Sequence, residues 1–530
     1  MTIGGMMQDT PSAQHDVVAR GHDATKQPGR IVCRAPASGE TLGVAEILGG
    51  EQVHAVMARA RVAQAAWARL AIEERCERIF RLRDALVDRA DALVEILSRE
   101  GGKPQQEALV HELMVTVDLA AYYAKRAPKI LAPREIELHL FKHRKSYVHY
   151  APLGVVAVIA PASYPLAIAA DAAITALLAG NAVLLKPSEY GTLSTLKFKD
   201  IFDGSGMPAE LLQVVTGDAS TVLAVLDARP DKVLFTGTQA VGRKLAALCG
   251  ERLISCTLQL GGKAALLVCD DADLERAARA IVFGGFANSG QVCLGVQRVY
   301  AHASVYDTLL ERVVRLTREL RQGDPTSSIV DVGALATAAQ LVAAEAAVKD
   351  ALDKGAERCI GGGRIAGEGN FFAPTVLANC APDTLLMREE VWAPVVAFAR
   401  VSSDDEAIAL ANDSRHGLMG YVFTRDKLRG RSVAERVRAG TVMVNDVLTA
   451  YACPEAPFGG VKQSGFGRIH GDEGLREMCE VRHVNYNRVP TFRTEPVWFP
   501  YRASTQRTMK RLMRAFMRSG SAVKKVIDLL

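Results

Sequence analysis

The 530-residue chain lacks several features that would place it in common classes of protein. No uninterrupted apolar stretch approaches the ~18 residues of a membrane-spanning helix, and the run Gly154–Ala160 stops at Pro161. No CxxC spacing or paired pattern occurs among the 10 cysteines. This argues against a disulfide scaffold or a bound metal such as zinc, and it suits a reducing compartment.

The opening of the chain also lacks the apolar core of a secretory signal. Residues 1–30 are polar and rich in Gly, Gln, Asp and His, so we expect a disordered leader. Together with the unpaired cysteines, this predicts a cytoplasmic protein.

Excess charge of one sign is confined to one end. The formal net charge is +5, and residues 491–530 alone carry +7, which leaves −2 for the rest of the chain. A near-neutral body with a basic appendage does not indicate a nucleic-acid-binding protein.

What is present is an alternation of helical stretches with short apolar runs. Amphipathic helices are expected at 51–66 and 72–99, and another helix at 166–179. Buried strands are expected at 155–159, 182–185, 211–215, 232–235 and 265–268. Continuous apolar strands joined by helices predict a doubly wound α/β protein, and the length predicts two or more subdomains.

Two strand ends carry residues that suit a cofactor. Gly237 and Gly242 lie at a strand-to-helix junction, where backbone N–H groups can bind a phosphate, although an ordinary turn would explain them too. Lys186 and Glu189 follow a buried strand, at the end where doubly wound sheets bind ligands. A solvated charge pair would explain this second pair equally well.

Cys293 is the most informative residue. It lies in a turn-like segment, 288–295, among small residues and an Asn/Gln pair, whereas most cysteines are small buried hydrophobes. Gln259 stands where we would expect a proton-accepting partner for this cysteine.

Nine motifs, in order and spacing, resemble the NAD(P)-dependent aldehyde dehydrogenase superfamily over Val32–Asn487. They lie at 152–155, 161–165, Lys186 with Glu189, 235–242, 260–263, 290–293, 389–394, 440–445 and 457–468. The resemblance implies an α/β fold of that family, and homodimers or homotetramers. Its parts would be a Rossmann-type cofactor domain (31–140 and 151–262), an oligomerisation β-arm (141–150 and 480–490), an α/β catalytic domain (263–479) and an extension (491–530).

The resemblance also implies which residues bind the cofactor. Lys186 and Glu189 would hold the adenosine ribose, and Glu390 the nicotinamide ribose. The Glu189 carboxylate would favour NAD over NADP, a preference that Lys186 could soften. The implied cofactor-binding set is Lys186, Glu189, Gly237, Thr238, Gly242, Gly261, Glu390 and Trp392.

In the implied chemistry the Cys293 thiolate attacks an aldehyde, hydride leaves to the cofactor, and water hydrolyses the resulting thioester. Three positions depart from the family pattern. Ser163 replaces the asparagine that stabilises the oxyanion, Gln259 replaces the glutamate base, and Ile469 replaces a second glutamate. His470 comes next, where a histidine is more often a surface residue than a substitute base.

These departures leave three alternatives open. The first is an aldehyde dehydrogenase that still forms acid, with Gln259 orienting water. The second is an enzyme that passes the acyl group to a thiol such as coenzyme A, which needs no base to activate water. The third is a catalytically impaired binding or scaffold protein, against which the retention of Cys293, Lys186, Glu189 and Glu390 argues.

The tail outside the family resemblance predicts a basic amphipathic helix. Its apolar stripe comprises Met509, Leu512, Met513, Phe516 and Met517. Such a helix can bind peripherally to a membrane surface, which would suit a long-chain aldehyde substrate, or it can dock on the oligomer.

Overall fold

The computed structural model describes residues 26–27, 29–488, 495, 498–517 and 519. It divides the chain into two compact units, one of residues 1–132 with 150–480 and one of residues 133–149 with 481–530. Most of the expected leader lies outside the described residues, and so does the end of the extension. At the described start, Lys26–Gln27 pairs with the strand that begins at Arg30.

The described part of the chain contains 19 strands and 17 α-helices. The strands are β1 (Lys26–Gln27), β2 (Arg30–Arg34), β3 (Thr41–Glu46), β4 (Arg134–Ile136), β5 (Arg144–Pro152), β6 (Val155–Ile159), β7 (Ala182–Lys186), β8 (Leu212–Val214), β9 (Lys232–Gly237), β10 (Ser255–Leu260), β11 (Ala264–Val268), β12 (Val296–His302), β13 (Glu357–Ile360), β14 (Thr375–Ala378), β15 (Val395–Val401), β16 (Met419–Phe423), β17 (Thr441–Val444), β18 (Gly465–Phe466) and β19 (Cys479–Asn487).

The helices are α1 (Gly50–Trp67), α2 (Ile72–Asp88), α3 (Ala90–Gly101), α4 (Gln105–Glu107), α5 (Val115–Ile130), α6 (Ala167–Leu178), α7 (Thr192–Gly204), α8 (Ala219–Asp227), α9 (Gln239–Arg252), α10 (Leu274–Phe286), α11 (Tyr306–Arg318), α12 (Ala338–Asp353), α13 (Leu385–Arg388), α14 (Asp404–Asn412), α15 (Lys427–Arg436), α16 (Gly471–Arg476) and α17 (Ala503–Met517). A π-helical turn, Ala108–Met114, joins α4 to α5. Short 3₁₀ turns occupy Ala209–Leu211, Ala287–Gly290, Thr449–Ala452 and Lys462–Ser464.

A six-stranded sheet has the order β18-β10-β9-β6-β7-β8, parallel except for β18. Both β6 and β7 are buried along their whole length, which explains their unbroken apolar sequences. From β6 the chain continues to β7 on one side and later returns to β9 on the other. The strand order therefore switches between β6 and β9, where sheets of this kind bind ligands.

A seven-stranded sheet has the order β13-β14-β15-β12-β11-β16-β17, parallel except for β13. The three residues Gly261–Lys263 connect β10 of the first sheet to β11 of the second. The Cys293 turn leads directly into β12. Two chain segments that matter for the candidate site thus lie where the two sheets are joined.

Helix α6 is buried nearly all round, which matches its Ala- and Leu-rich sequence. The Glu112 carboxylate accepts the N–H groups of Leu166 and Ala167, at 2.8 and 3.2 Å, and satisfies donors that the start of a buried helix would leave unpaired. Asp171 is the only charged residue in α6 and is 3% exposed. A buried charge in an apolar helix needs partners, which are described with the site below.

The second unit contains β4, most of β5 and most of β19, which form a three-stranded sheet in the order β19-β5-β4. It also contains α17, where the sequence predicts a basic amphipathic helix. None of the described helices is long and apolar enough to cross a membrane.

Candidate active site

Cys293 lies in a tight turn whose shape requires glycine. Asn288, Ser289 and Gly290 all have positive φ, at 49°, 55° and 74°. A Cβ at Gly290 would lie 2.1 Å from the carbonyl oxygen of Ala393, so no other residue fits this close approach. The turn is therefore held against a neighbouring backbone just before the cysteine.

The Gly261–Gly262 turn brings the cysteine next to the end of β10. A Cβ at Gly262 would lie 2.5 Å from the Cys293 carbonyl oxygen, and one at Gly261 would lie 2.0 Å from Oε2 of Glu390. Both glycines are thus required by close packing. Gln259 lies two residues before this turn, so the strand that carries it leads directly into the turn that Cys293 and Glu390 contact.

The half-buried Cys293 thiol is held in its protonated form. Burial raises the pKa of Cys293 to about 12, and the nearby Glu390 carboxylate adds to the increase. The backbone N–H groups of Cys293 and Leu294 oppose this rise in pKa. The local backbone therefore favours the thiolate, but it does not outweigh the effect of burial.

The loop of Ser163 is tied to the cysteine turn by buried hydrogen bonds. Asn288 Nδ2 donates to the Ser163 carbonyl oxygen at 3.0 Å, and Lys103 Nζ donates to the same oxygen at 2.6 Å. Lys103 is 1% exposed and pairs with Glu112 at 2.5 Å. The Asn288 N–H donates to Glu107 at 2.7 Å. Sequence reasoning missed these supporting residues.

Gln259 is buried without a hydrogen-bond partner. Its side chain is 7% exposed, and neither amide atom has a partner among the described residues. A cavity of about 20 Å³ adjoins it, lined also by Thr257, Asp171 and Ile469. A buried amide without a protein partner is an acceptor and donor available to water or substrate.

Asp171 has two partners that sequence reasoning did not connect with it. His470 Nε2 lies 2.8 Å from Asp171 Oδ2, and the Tyr451 hydroxyl donates to the same oxygen at 3.0 Å. His470 is 0% exposed, so the expectation of a surface histidine is wrong. The hydrogen bond with the buried Asp171 carboxylate gives the imidazole a polar partner inside the protein. The sequence signal was the lone aspartate in an apolar helix.

The expected adenosine-end residues meet at one edge of the six-stranded sheet. Lys186 ends β7, and its Nζ lies 3.7 Å from Oε2 of Glu189. Thr238 caps α9, its hydroxyl accepting the Val241 N–H at 3.4 Å. Since β7 and β9 flank β6, these residues lie on both sides of the switch in strand order.

The two glycines of the β9–α9 junction are required by packing. A Cβ at Gly242 would lie 2.4 Å from a Leu260 methyl group, and one at Gly237 would lie 2.5 Å from the Phe235 ring. Helix α9 therefore packs closely on the sheet, with its N-terminus at the carboxyl end of β9.

Glu390 is the expected nicotinamide-end residue. Its Oε1 accepts the Gly262 N–H at 3.1 Å, and burial raises its pKa to about 7. A hydrogen bond with Trp392 acts in the opposite direction and lowers the pKa. Together with its effect on the Cys293 thiol, this places Glu390 and Trp392 beside the cysteine turn.

Two further polar residues near this turn were missed. Lys263 is buried, with its pKa lowered to about 7 by burial, and its Nζ lies 2.7 Å from the Gln297 side-chain oxygen. His416 Nδ1 lies 3.2 Å from the Gly261 carbonyl oxygen, and burial lowers the His416 pKa to about 4. Lys263 lies in the motif at 260–263 but was given no role, and nothing in the local sequence marks His416. Across the described ranges, no group of three or more His, Cys, Asp or Glu could hold a metal ion.

Comparison with known proteins identifies the family. The model of the aldehyde dehydrogenase family matches residues 23–484. The chain is 37% identical over 485 residues to a 4,4'-diapolycopene aldehyde oxidase of a Methylomonas species, which covers 91% of this chain and 90% of that protein.

Solved structures agree with this assignment. An NAD-dependent aldehyde dehydrogenase from Sinorhizobium meliloti superposes with a TM-score of 0.84 at 32% identity, covering 89% of this chain and 93% of that one. An NADP-dependent enzyme from E. coli superposes with a TM-score of 0.84 at 31% identity, covering 86% of this chain and 95% of that one.

The chain therefore belongs to the aldehyde dehydrogenase family. It is an oxidoreductase that acts on aldehydes, and the expected α/β fold of that family is confirmed.

Proposed function

We propose that this protein oxidises an aldehyde to the carboxylic acid with NAD, through a thiohemiacetal and then a thioester on Cys293. The observation that carries the proposal is the contact of Cys293 and Glu390 with the Gly261–Gly262 turn, at the end of the strand that carries Gln259. In this proposal Glu390 lies on the side of the thiol where the cofactor binds, and Gln259 lies on the side from which water attacks.

The residues at the switch in strand order fit a dinucleotide. Glu189 and Glu390 offer carboxylates to ribose hydroxyls, and the N-terminus of α9 offers N–H groups to a phosphate. Glu189 disfavours a 2′-phosphate, so NAD is preferred, and Lys186 at 3.7 Å leaves NADP usable. When bound, the nicotinamide accepts hydride and brings a positive charge. We propose that the six-stranded sheet is the core of the cofactor domain.

The chain's own residues prepare and stabilise the covalent adduct. The thiol has to lose its proton, and a cation beside Glu390 would offset the carboxylate that now opposes ionisation. The Cys293 N–H and the Ser163 hydroxyl are the donors we assign to the oxyanion, in place of the usual asparagine amide. A missing oxyanion donor costs on the order of 10²–10³ in rate, part of which serine recovers.

Gln259 also favours a second candidate function, acyl transfer to a thiol. An amide has no proton affinity at neutral pH, so Gln259 can orient water but cannot deprotonate it. A thiol acceptor such as coenzyme A would not need that help.

Rapid mixing with NAD and an aldehyde panel, with and without coenzyme A, distinguishes the two functions. Acid-forming turnover without coenzyme A supports oxidation to the acid. A one-equivalent NADH burst with near-zero turnover, restored by coenzyme A, would replace it with acyl transfer. The Cys453→Ala variant is the control, because that thiol is exposed.

We also propose that α17 binds a membrane surface and that the substrate is a long apolar aldehyde. Met513, Phe516 and Met517 are 53, 67 and 66% exposed. Helix α17 contains no acidic residue, and its four cations are exposed: Arg507, Lys510, Arg511 and Arg514. Large apolar side chains beside unopposed cations suit anionic lipid. The aldehyde named for the Methylomonas relative fits this substrate class.

Flotation with phosphatidylcholine vesicles, with and without phosphatidylserine, tests the membrane proposal. We expect binding only to the anionic vesicles, reduced by salt and by Phe516→Ala. Leu253→Ala, at a residue 95% exposed elsewhere, is the matched control. No binding, with Phe516→Ala instead shifting the size of a homodimer or homotetramer, would assign the helix to the oligomer.

A further inference from the structure

The Gln259 amide and the cavity beside it form a site for one water molecule. Neither amide atom has a partner among the described residues, and a buried polar group left unsatisfied destabilises the fold. The adjoining cavity of about 20 Å³ has room for one water. Polar lining comes from Thr236, Thr257, Gln259 and Asp171, which supply the hydrogen-bond partners that a buried water requires.

Among the residues that the structure describes, Asp171 is the only ionisable one that lines this cavity. The other lining residues are apolar or uncharged, including Ile469. A proton leaving a water at this site therefore has one acceptor within the cavity wall. The carboxylate lies on α6, and Gln259 lies on strand β10, so two different elements contribute these groups to the cavity wall.

The Asp171 carboxylate is held in place from its other side. His470 Nε2 and the Tyr451 hydroxyl both contact Oδ2, and the Tyr451 and His470 rings pack with centroids 4.7 Å apart. A carboxylate accepts at two oxygens, so two donors on one of them leave capacity for a water. His470 contacts Asp171 through Nε2, and its Nδ1 has no partner among the described residues.

The cluster of Tyr451, Asp171 and His470 also extends toward the nucleophile. Burial and the Asp171 carboxylate raise the pKa of Tyr451 well above its usual value, and an ionised Cys293 would raise it further. The tyrosine therefore stays protonated and remains a donor to Asp171. Tyr451 thus links Cys293 electrostatically to the carboxylate that borders the Gln259 cavity.

We infer that Asp171 accepts the proton of the water that hydrolyses the Cys293 thioester, with Gln259 orienting that water and His470 positioning the carboxylate. The inference rests on the proposed oxidation to an acid. The water oxygen bonds to the thioester carbon, and the C–S bond breaks with its electron pair on sulfur. The released proton passes to Asp171 and returns to the Cys293 sulfur, which regenerates the thiol.

Acetylation with p-nitrophenyl acetate, with NAD present and no aldehyde, isolates this step, because the acetyl-enzyme forms without hydride transfer. The ester acetylates a reactive thiol and releases p-nitrophenolate, after which the acetyl-enzyme is hydrolysed. In Asp171→Asn we expect the one-equivalent burst of the unaltered protein, followed by hydrolysis about 10²-fold slower. Hydroxylamine, which needs no base, should release the acetyl group equally fast from both proteins. Asp227→Asn, at an exposed aspartate, is the matched control.

The outcomes separate this inference from the proposed function. An intact burst with unchanged hydrolysis in Asp171→Asn would overturn the role of Asp171, and so would slow release by hydroxylamine. Absence of a Cys293-dependent burst in the unaltered protein would overturn the proposed function, and this inference with it. If Asp171→Asn does not fold, Tyr451→Phe decides, because it keeps the carboxylate and removes one donor. We then expect a normal burst and slower hydrolysis, and equal hydrolysis would refute the inference.

Discussion

On the cofactor side of Cys293, the Glu390 carboxylate accepts the Gly262 N–H, and the Cys293 carbonyl oxygen packs against Gly262. On the water side, Gln259 of strand β10 borders a small cavity in which Asp171 of helix α6 is the one ionisable wall residue among those the structure describes. The cofactor side depends on backbone geometry that glycines make possible. The water side depends on side chains alone.

This difference explains which side tolerates change. Replacing Gly261 or Gly262 would drive a Cβ to within 2.5 Å of Glu390 or the Cys293 carbonyl, so the turn itself would have to move. Replacing a glutamate by Gln259 leaves the backbone unaltered, and a carboxylate elsewhere on the cavity can supply the missing acceptor. Under the proposed mechanism, capture of the aldehyde depends on the backbone of this turn, whereas release of the acyl group depends on side chains that can change.

The largest effect should come from removing the group that both sides share. Cys293→Ala should lower aldehyde oxidation by more than about 10⁴-fold, because loss of a nucleophile removes the covalent route entirely. The p-nitrophenolate burst and NADH formation should disappear together. Persistence of either one, with Cys453→Ala behaving normally, would show that another group is the nucleophile.

A second prediction tests whether the two carboxylate positions are interchangeable. In the Asp171→Asn background, Gln259→Glu should raise thioester hydrolysis by about 10²-fold, because it restores a base to the same cavity. In the otherwise unaltered protein the gain should be much smaller, since Asp171 already accepts the proton. The measurement is steady-state release after the acetylation burst. An equal gain in both backgrounds would show that Asp171 and position 259 act independently.

The sequence predicted some secondary-structure elements well and others only in part. The strand Val155–Ile159 was predicted at its exact bounds, because a buried parallel strand is an unbroken apolar run between turn residues. The helix predicted at 72–99 is instead two helices that meet at Arg89, where no glycine or proline marks the break. Local patterns identify elements well and their interruptions poorly.

For the candidate site, motif residues were predictable and their partners were not. Cys293, Gln259 and Glu390 follow from short motifs, so the sequence alone indicated them. His470 lies 299 positions from Asp171, and no local pattern reports that pairing or the burial that comes with it. Only an indirect indication was present in the sequence. A single aspartate in a helix of otherwise uncharged residues needs polar partners if the helix is buried.

A third prediction concerns the Glu390 carboxylate, which is proposed to bind the cofactor and which also opposes ionisation of Cys293. Glu390→Gln should weaken NAD binding about tenfold, the loss expected for a hydrogen bond to a charged group. The same change should speed alkylation of Cys293 by iodoacetamide, because the carboxylate no longer opposes the thiolate. Binding is measured by calorimetry and alkylation by mass spectrometry. If the NAD affinity and the alkylation rate both fall, the substitution has altered the structure of the turn and not only removed the charge.

The smallest expected effect concerns Glu107, which supports the cysteine turn through the Asn288 N–H. Burial raises the Glu107 pKa from 4.5 to about 7. Between these pH values the folded chain holds a proton that the unfolded chain has lost, so this group's contribution to stability falls as pH rises through 7.

Glu107→Gln removes that ionisation while keeping an oxygen to accept the Asn288 N–H. The drop in melting temperature from pH 5 to pH 8 should therefore shrink by roughly 2 °C, whereas Glu311→Gln, at an exposed glutamate, should leave it unchanged. The measurement is thermal unfolding at both pH values without cofactor. An unchanged pH dependence in Glu107→Gln would mean that the carboxyl is already ionised in the folded protein. The Asn288 N–H would then donate to a charged carboxylate. Support of the cysteine turn would in that case depend on a side-chain charge as well as on backbone geometry.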